Sequence, residues 1–141
     1  MKKGGIDYSL AQYLDDSKLS KYDDSEFIRV GDIVINSTGT GTLGRVGFID
    51  SLVAKPIVPD SHVTIVRSND EIASFYIFVL LKSLQPYLEK SGEGSTNQKE
   101  LKPHTIQDIY VPIPPIEEQK KICEVVRNSF SLLKNIEGSI T

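Results

Sequence analysis

The sequence predicts an α+β fold: a mixed, β-rich globule over residues 1–114, carrying a C-terminal helix of coiled-coil character over 115–141. Three observations predict it. Short β-branched runs broken by turn residues fill the stretch 27–67, as the strands of a half-buried sheet do. One apolar run, 72–84, is too long for a strand and reads as a buried helix. From Pro115 onward, apolar residues recur at helical spacing.

The elements follow in order. The first thirty residues are polar, with an Asp/Ser/Lys/Tyr-rich run over 15–26, and read as loops with a short helix. Residues 27–30 and 33–35 are expected as strands on either side of the turn pair Gly31-Asp32. A loop, STGTGTLGR (37–45), leads into a strand at 46–49, and 52–54 and 57–58 are expected as strands around Pro56 and Pro59. Residues 62–67 alternate as a half-buried strand should. Ser68-Asn-Asp-Glu71 supplies the cap and early acidic residues of a helix start, and that helix should end near Gln85-Pro86. A loop, SGEGSTNQ (91–98), is followed by a short turn or helix at 100–103 and a last strand at 106–113.

Residues 111–122 read VPIPPIEEQKKI. Ile113 and Pro114 each precede a proline and are held extended. Pro115 suits the first helical turn, where its missing N–H costs nothing, and Glu117 and Glu118 suit the positive end of the helix dipole. The stretch is therefore a rigid joint that launches a helix. Beyond it, Ile122, Val126, Ser129, Leu133, Ile136 and Ile140 are spaced 4, 3, 4, 3, 4, an a/d seam widened on one flank by Cys123 and Phe130. The seam lasts under three heptads, and packing on the domain itself and packing on a partner both fit it.

Composition narrows the class. At 141 residues with ordinary apolar and charged content, the chain fits one compact domain plus an appended element. A single cysteine, Cys123, cannot form an intramolecular disulfide, so a reducing cytoplasm is the expected setting. No apolar run approaches membrane-spanning length, and no membrane association is expected. The net charge of -3 gives no overall basic excess. The charge is uneven: residues 1–36 hold five basic and seven acidic residues, whereas 39–67 holds Arg45, Lys55 and Arg67 against Asp50 and Asp60.

Gly39-Thr-Gly41-Thr-Leu-Gly44 is a literal G-x-G-x-x-G after a strand. A dinucleotide site needs that loop to open a helix, but Arg45-Val-Gly-Phe-Ile continues with β-like composition. Three readings stay open: a nucleotide loop, a plain hairpin loop, or a loop whose backbone approaches phosphate while Thr38, Thr40, Thr42 and Arg45 supply donors. The second loop, Gly92-Glu-Gly94-Ser-Thr-Asn-Gln-Lys99, is dense in donors and acceptors suited to base edges and phosphates, a composition that a solvated surface loop shares. His62, His104 and Cys123 do not make a metal-ligand spacing. No G-x-S-x-G elbow supports a serine nucleophile, so no catalytic residue is assigned.

The order of these pieces carries a resemblance. Gly31-Asp32-Ile33-Val34, the Gly/Thr-rich loop, Asp60-Ser-His-Val-Thr-Ile-Val-Arg67, a hydrophobic helix, Gly94-Ser95-Thr96 with Leu101, and Ile113-Pro-Pro-Ile-Glu-Glu-Gln119-Lys-Lys-Ile122 follow one another. This arrangement resembles a target recognition domain of the specificity (S) subunit of type I restriction–modification systems. The Pro-Pro-x-x-Glu-Gln-x-x-Ile signature is its most specific part. The resemblance runs from about residue 6 to the end. It implies a fragment or half-length subunit, with the start of the domain and most of the conserved helix absent.

The resemblance implies a non-catalytic module that reads double-stranded DNA and directs separate methyltransferase and endonuclease subunits. It implies no cofactor in this chain, S-adenosylmethionine included. Its DNA-facing residues would be Thr38, Thr40, Thr42 and Arg45 from the first loop, and Ser95, Thr96, Asn97, Gln98 and Lys99 from the second. Lys102 would contact phosphate and His62 would stand at the adjoining strand end. Ile122, Val126, Phe130, Leu133, Ile136 and Ile140 would form a helix interface, for a partner or a homodimer. The rivals are the recognition domain of a single-chain methyltransferase-nuclease, a nucleotide-binding enzyme domain using 39–44, and a protein-interaction module acting through the helix.

Overall fold

The structure, a computed structural model, describes residues 6, 8–10, 12, 14–51, 55–68, 70–95 and 98–140. Among the described residues the polar N-terminal region holds a 3-10 turn, Tyr8–Leu10, and a short helix, α1 (Asp16–Leu19). Asp15 caps α1, its Oδ1 accepting from the Ser17 amide at 3.2 Å.

Three strands, β1 (Ile33–Asn36), β2 (Val46–Phe48) and β3 (Val63–Val66), form an antiparallel sheet in the order β2-β1-β3. Ile33 pairs with Phe48 on one side and Val66 on the other, and Asn36 with Val63. The central strand is buried through Ile33, Val34 and Ile35, which is why it reads as an unbroken apolar run rather than an alternating one. The exposed edge of β2 is covered from outside. Gln85 Oε1 accepts from the Val46 amide at 3.2 Å, and Lys82 Nζ donates to the Val46 carbonyl at 3.1 Å.

α2 (Glu71–Ser83) begins at Asp70, whose Oδ1 accepts from the Ala73 amide at 2.9 Å. It buries Phe75, Tyr76 and Leu81, and packs on both β2 and the terminal helix. α2 ends at Leu84 as expected, but helix resumes at once as α3 (Gln85–Lys90). Pro86 stands in the first turn of α3, where its absent N–H leaves no bond unmade. After the second loop come α4 (Pro103–Gln107) and an irregular strap to Pro115, then α5 (Ile116–Ile140).

Several expected strands are absent from the sheet. Residues 27–30 and 57–58 meet through a backbone hydrogen bond, Ile28 N–H to the Ile57 carbonyl at 2.9 Å, but belong to no strand. Pro56 and Pro59 flank 57–58 and cannot donate to a ladder. Residues 106–113, expected as a last strand, divide between α4 and the strap. Pro103 starts a helix there, and Pro112 removes a donor that a strand would need. The strand expected at 52–54 lies outside the described residues.

The core has two parts. Ile33, Ile35, Leu43, Val46, Leu81, Leu88 and Leu101 form one cluster, and Phe75, Tyr76 and Cys123 the other. Phe48, Phe75 and Phe78 join them, with ring centroids 5.2–5.7 Å apart. α5 closes the second cluster: Cys123 is buried, Ile122 and Val126 are half-buried, and the Arg127 guanidinium lies 4.4 Å from the Phe75 ring centre. Burial pushes the Cys123 thiol pKa up, with Arg127 opposing. Upstream, Tyr76 donates to the Pro112 carbonyl at 3.1 Å and Gln119 Nε2 to the Pro114 carbonyl at 2.9 Å. These bonds fix the proline joint to the globule.

The a/d seam therefore splits. Its first turns pack on α2, whereas Phe130, Leu133 and Ile136 are exposed at 48–56%. Leu132 beside them is exposed too.

The end of the sheet away from the loops is held by a buried carboxylate. Asp32 is 1% exposed, and Arg67 grips both its oxygens at 2.7 Å through Nε and Nη2. The Arg29 amide donates to Asp32 Oδ2 at 2.7 Å, and Arg67 also donates to the Ser25 and Phe27 carbonyls. The same pair thus joins β1 to β3 and straps residues 25–29 onto the sheet.

Candidate nucleic-acid interface

The opposite end of the sheet gathers polar loops. Strand β1 ends at Asn36, β2 begins at Val46 and β3 begins at Val63, so antiparallel pairing puts all three at one end. The first loop, 37–45, leaves and re-enters there. Its Gly44 amide donates to the Asn36 carbonyl at 2.8 Å, and the Asn36 amide donates to the Arg45 carbonyl at 3.0 Å. His62 is exposed beside it: its carbonyl accepts from the Ser37 amide at 2.7 Å, and its own amide is held by Asp60 Oδ1 at 2.8 Å. Ser37 and Thr64 hydroxyls share a hydrogen bond of 2.7 Å behind the loop.

The loop returns into β2 and opens no helix, so the structural premise of a dinucleotide motif is missing. Its own turns use the amides of Thr42, Leu43 and Arg45, which donate to the carbonyls of Gly39, Gly39 and Thr42 at 3.0–3.2 Å. The Thr42 hydroxyl is turned inward as well, donating to the Thr38 carbonyl at 3.3 Å. Thr40, with Gly39 and Gly41 on either side, forms the exposed tip. Leu43 reaches down into the core cluster and anchors the loop.

The second loop docks on the first. Thr38 faces Glu100 as an antiparallel bridge, Glu93 and Glu100 exchange both backbone hydrogen bonds at 2.8–2.9 Å, and the Leu101 amide donates to the Ser37 carbonyl at 2.8 Å. Leu101, 1% exposed, enters the same cluster as Leu43. Two loops more than fifty residues apart in sequence thus share one apolar root. Ser95, Gln98 and Lys99 are exposed on the second loop, and the Gln98 amide closes its turn on the Ser95 carbonyl at 2.9 Å. Thr96 and Asn97 lie outside the described residues.

Between the loops is an open cleft of about 490 Å³, lined by Thr40, Leu43, Arg45 and Lys99 together with the loop glycines. Sequence reasoning missed its remaining wall, Glu89 at the end of α3. No local pattern places Glu89 there; only the docking of α3 against Gly44 does. Lys82 stands near it. Burial lowers the Lys82 ammonium below the usual lysine range, Glu89 opposes that shift and Arg45 adds to it. Lys102 is tied to Glu100 at 2.6 Å, and this hydrogen bond holds its ammonium above the usual range. The structure therefore brings Thr38, Thr40, Thr42, Arg45, His62, Ser95, Gln98, Lys99 and Lys102 to one end of the domain.

Among the described residues no helix is long and apolar enough to cross a membrane. The type I restriction enzyme MjaVIII specificity subunit of Methanocaldococcus jannaschii is 26% identical to this chain over 146 residues. That match covers 98% of this chain and 32% of the archaeal protein, so the chain spans about a third of the length of its curated relative. The family model of the type I restriction modification DNA specificity domain matches residues 2–141, the whole of the globule with its proline joint and terminal helix, and the chain belongs to that family.

Proposed function

We propose that this chain is the sequence-specific DNA-binding module of a type I restriction–modification specificity subunit, directing separate methyltransferase and endonuclease subunits to their target. The observation that carries the reading is the convergence of two polar loops on one exposed end of the sheet, rooted together in the core through Leu43 and Leu101. A base anchored in the core and carrying polar tips suits a surface that must hold donors in register against a duplex. Arg45, Lys99, Lys102, Thr38 and Thr40 set position on phosphates, whereas the Thr42 hydroxyl is engaged by the Thr38 carbonyl; Gln98, Asn97 and other loop side chains read base edges. His62 flanks them at the strand end. Methyl transfer, cleavage and any cofactor belong to the partner subunits.

The net charge of -3 implies weak binding by the isolated chain, because the salt-sensitive part of affinity scales with phosphates neutralised. The test therefore uses the assembled complex. Arg45→Ala and Lys99→Ala should each weaken binding across sequences and lower the log–log salt slope by about 1. Unchanged affinity and slope in both variants would remove the loops from the interface.

On the same reading, residues 1–114 read DNA and 115–141 serve as spacer and docking helix, for a partner subunit or a second copy of the chain. The exposed Phe130, Leu133 and Ile136 are the surface it offers. Replacing all three with serine should abolish helix-mediated association in sedimentation while leaving the globule folded. Cys123 reports the second condition, since it is buried between α5 and α2 and should stay slow to alkylate. Association that survives the triple substitution would assign the seam to no interface.

A further inference from the structure

We propose that Glu89 reads a cytosine in the DNA target; the inference rests on the DNA-reading function proposed above and adds a base to it. Glu89 walls a cleft whose other charged side chains, Arg45 and Lys99, are cations suited to phosphate. A carboxylate there repels the DNA backbone, so its presence at that wall fits a ligand atom that donates rather than accepts.

Its orientation is built in. Gln85 Oε1 faces two donors, the Val46 amide at 3.2 Å and Lys82 Nζ at 2.7 Å. The amide of Gln85 is thereby fixed, and its Nε2 points at Glu89 Oε1 and donates to it at 2.7 Å. A chain of hydrogen bonds from the backbone of β2 thus aims an acceptor-only group into the cleft. The Glu89 backbone is fixed as well, because Gly44 packs directly against it.

The base follows from the acceptor. In the major groove guanine presents two acceptors and thymine an acceptor beside a methyl group. Adenine places the N7 acceptor next to its amino donor, whereas cytosine offers its N4 amino group alone. A carboxylate is matched by cytosine and penalised by the others.

The experiment is selection of bound sequences from a random duplex pool, using the specificity subunit assembled with its methyltransferase partner. The unaltered complex should show a position that prefers cytosine. Glu89→Ala should flatten that position, reducing the preference by about five- to 150-fold, and leave the remaining positions and the melting temperature unchanged. Glu89→Gln should move the same position toward adenine, because glutamine pairs its acceptor and donor with the adenine N6 and N7 edge. A sharp profile that neither variant alters, or a uniform loss across all positions, overturns the assignment of Glu89 while the DNA-reading function stands. A wild-type complex that selects no sequence overturns that function, and the role of Glu89 with it.

Discussion

Asp32→Ala is expected to destabilise the domain by about 3–5 kcal/mol, because it leaves the Arg67 guanidinium facing a buried site with no counter-charge. For a domain of this size that corresponds to a melting temperature lower by roughly 10–20 °C. The loss exceeds that of a surface ion pair for a geometric reason. The Asp32 carboxylate accepts three hydrogen bonds, two from one guanidinium and one from a backbone amide, and both of its oxygens are engaged. Arg67 in turn closes the Ser25 and Phe27 carbonyls, so removing the carboxylate loosens the strap at 25–29 as well as the β1–β3 end. Arg67→Ala should cost a similar amount by stranding the carboxylate. Replacing both together by apolar residues of similar volume should recover part of the loss, since the uncompensated charge disappears. Chemical denaturation of the three variants checks this. A single-site loss below about 1 kcal/mol would place the pair with weak surface bridges instead.

That pair also marks what local patterns could and could not reveal. Strands β1, β2 and β3, the buried helix α2 and the proline-launched α5 were legible, because each follows from periodicity or from a cap that acts within a few residues. The run 27–30 has the composition of a strand, yet its place is set by Arg67, about forty residues away. The run 106–113 failed for a local reason that the prolines already carried: Pro103 nucleates a helix and Pro112 cannot join a ladder. The two polar loops were legible as candidates from their residue types. Their union was not, because it depends on Leu43 and Leu101 meeting in one cluster and on the Thr38–Glu100 bridge. Glu89 stayed hidden for the same reason.

The second large effect is expected at Gly44, which should tolerate alanine far less well than Gly41 in the same loop. Both glycines have left-handed backbone, φ +77° and +76° respectively, so alanine pays similar conformational strain at each, about 1–2 kcal/mol. Their surroundings differ. A Cβ on Gly41 would meet nothing within 4 Å, whereas one on Gly44 would lie 2.5 Å from the Glu89 amide nitrogen and 2.7 Å from the Leu88 carbonyl carbon. Those atoms are helix backbone beside Leu88, itself fully buried, and cannot yield as a flexible side chain would. Overpacking adds about 1–3 kcal/mol, which puts Gly44→Ala near 2–5 kcal/mol in total. Denaturation of the two variants side by side isolates the packing contribution, because the backbone strain nearly cancels. Equal losses would mean that α3 does not clamp the loop. A clamped loop also predicts that Gly44→Ala displaces Arg45 and the cleft wall at Glu89, so DNA affinity of the assembled complex should fall more than with Gly41→Ala. The last glycine of a G-x-G-x-x-G thus meets the demand it meets in a dinucleotide loop, close approach of two backbones. Here the approaching helix is α3 from forty residues on, and the loop it seats faces outward from the end of an antiparallel sheet.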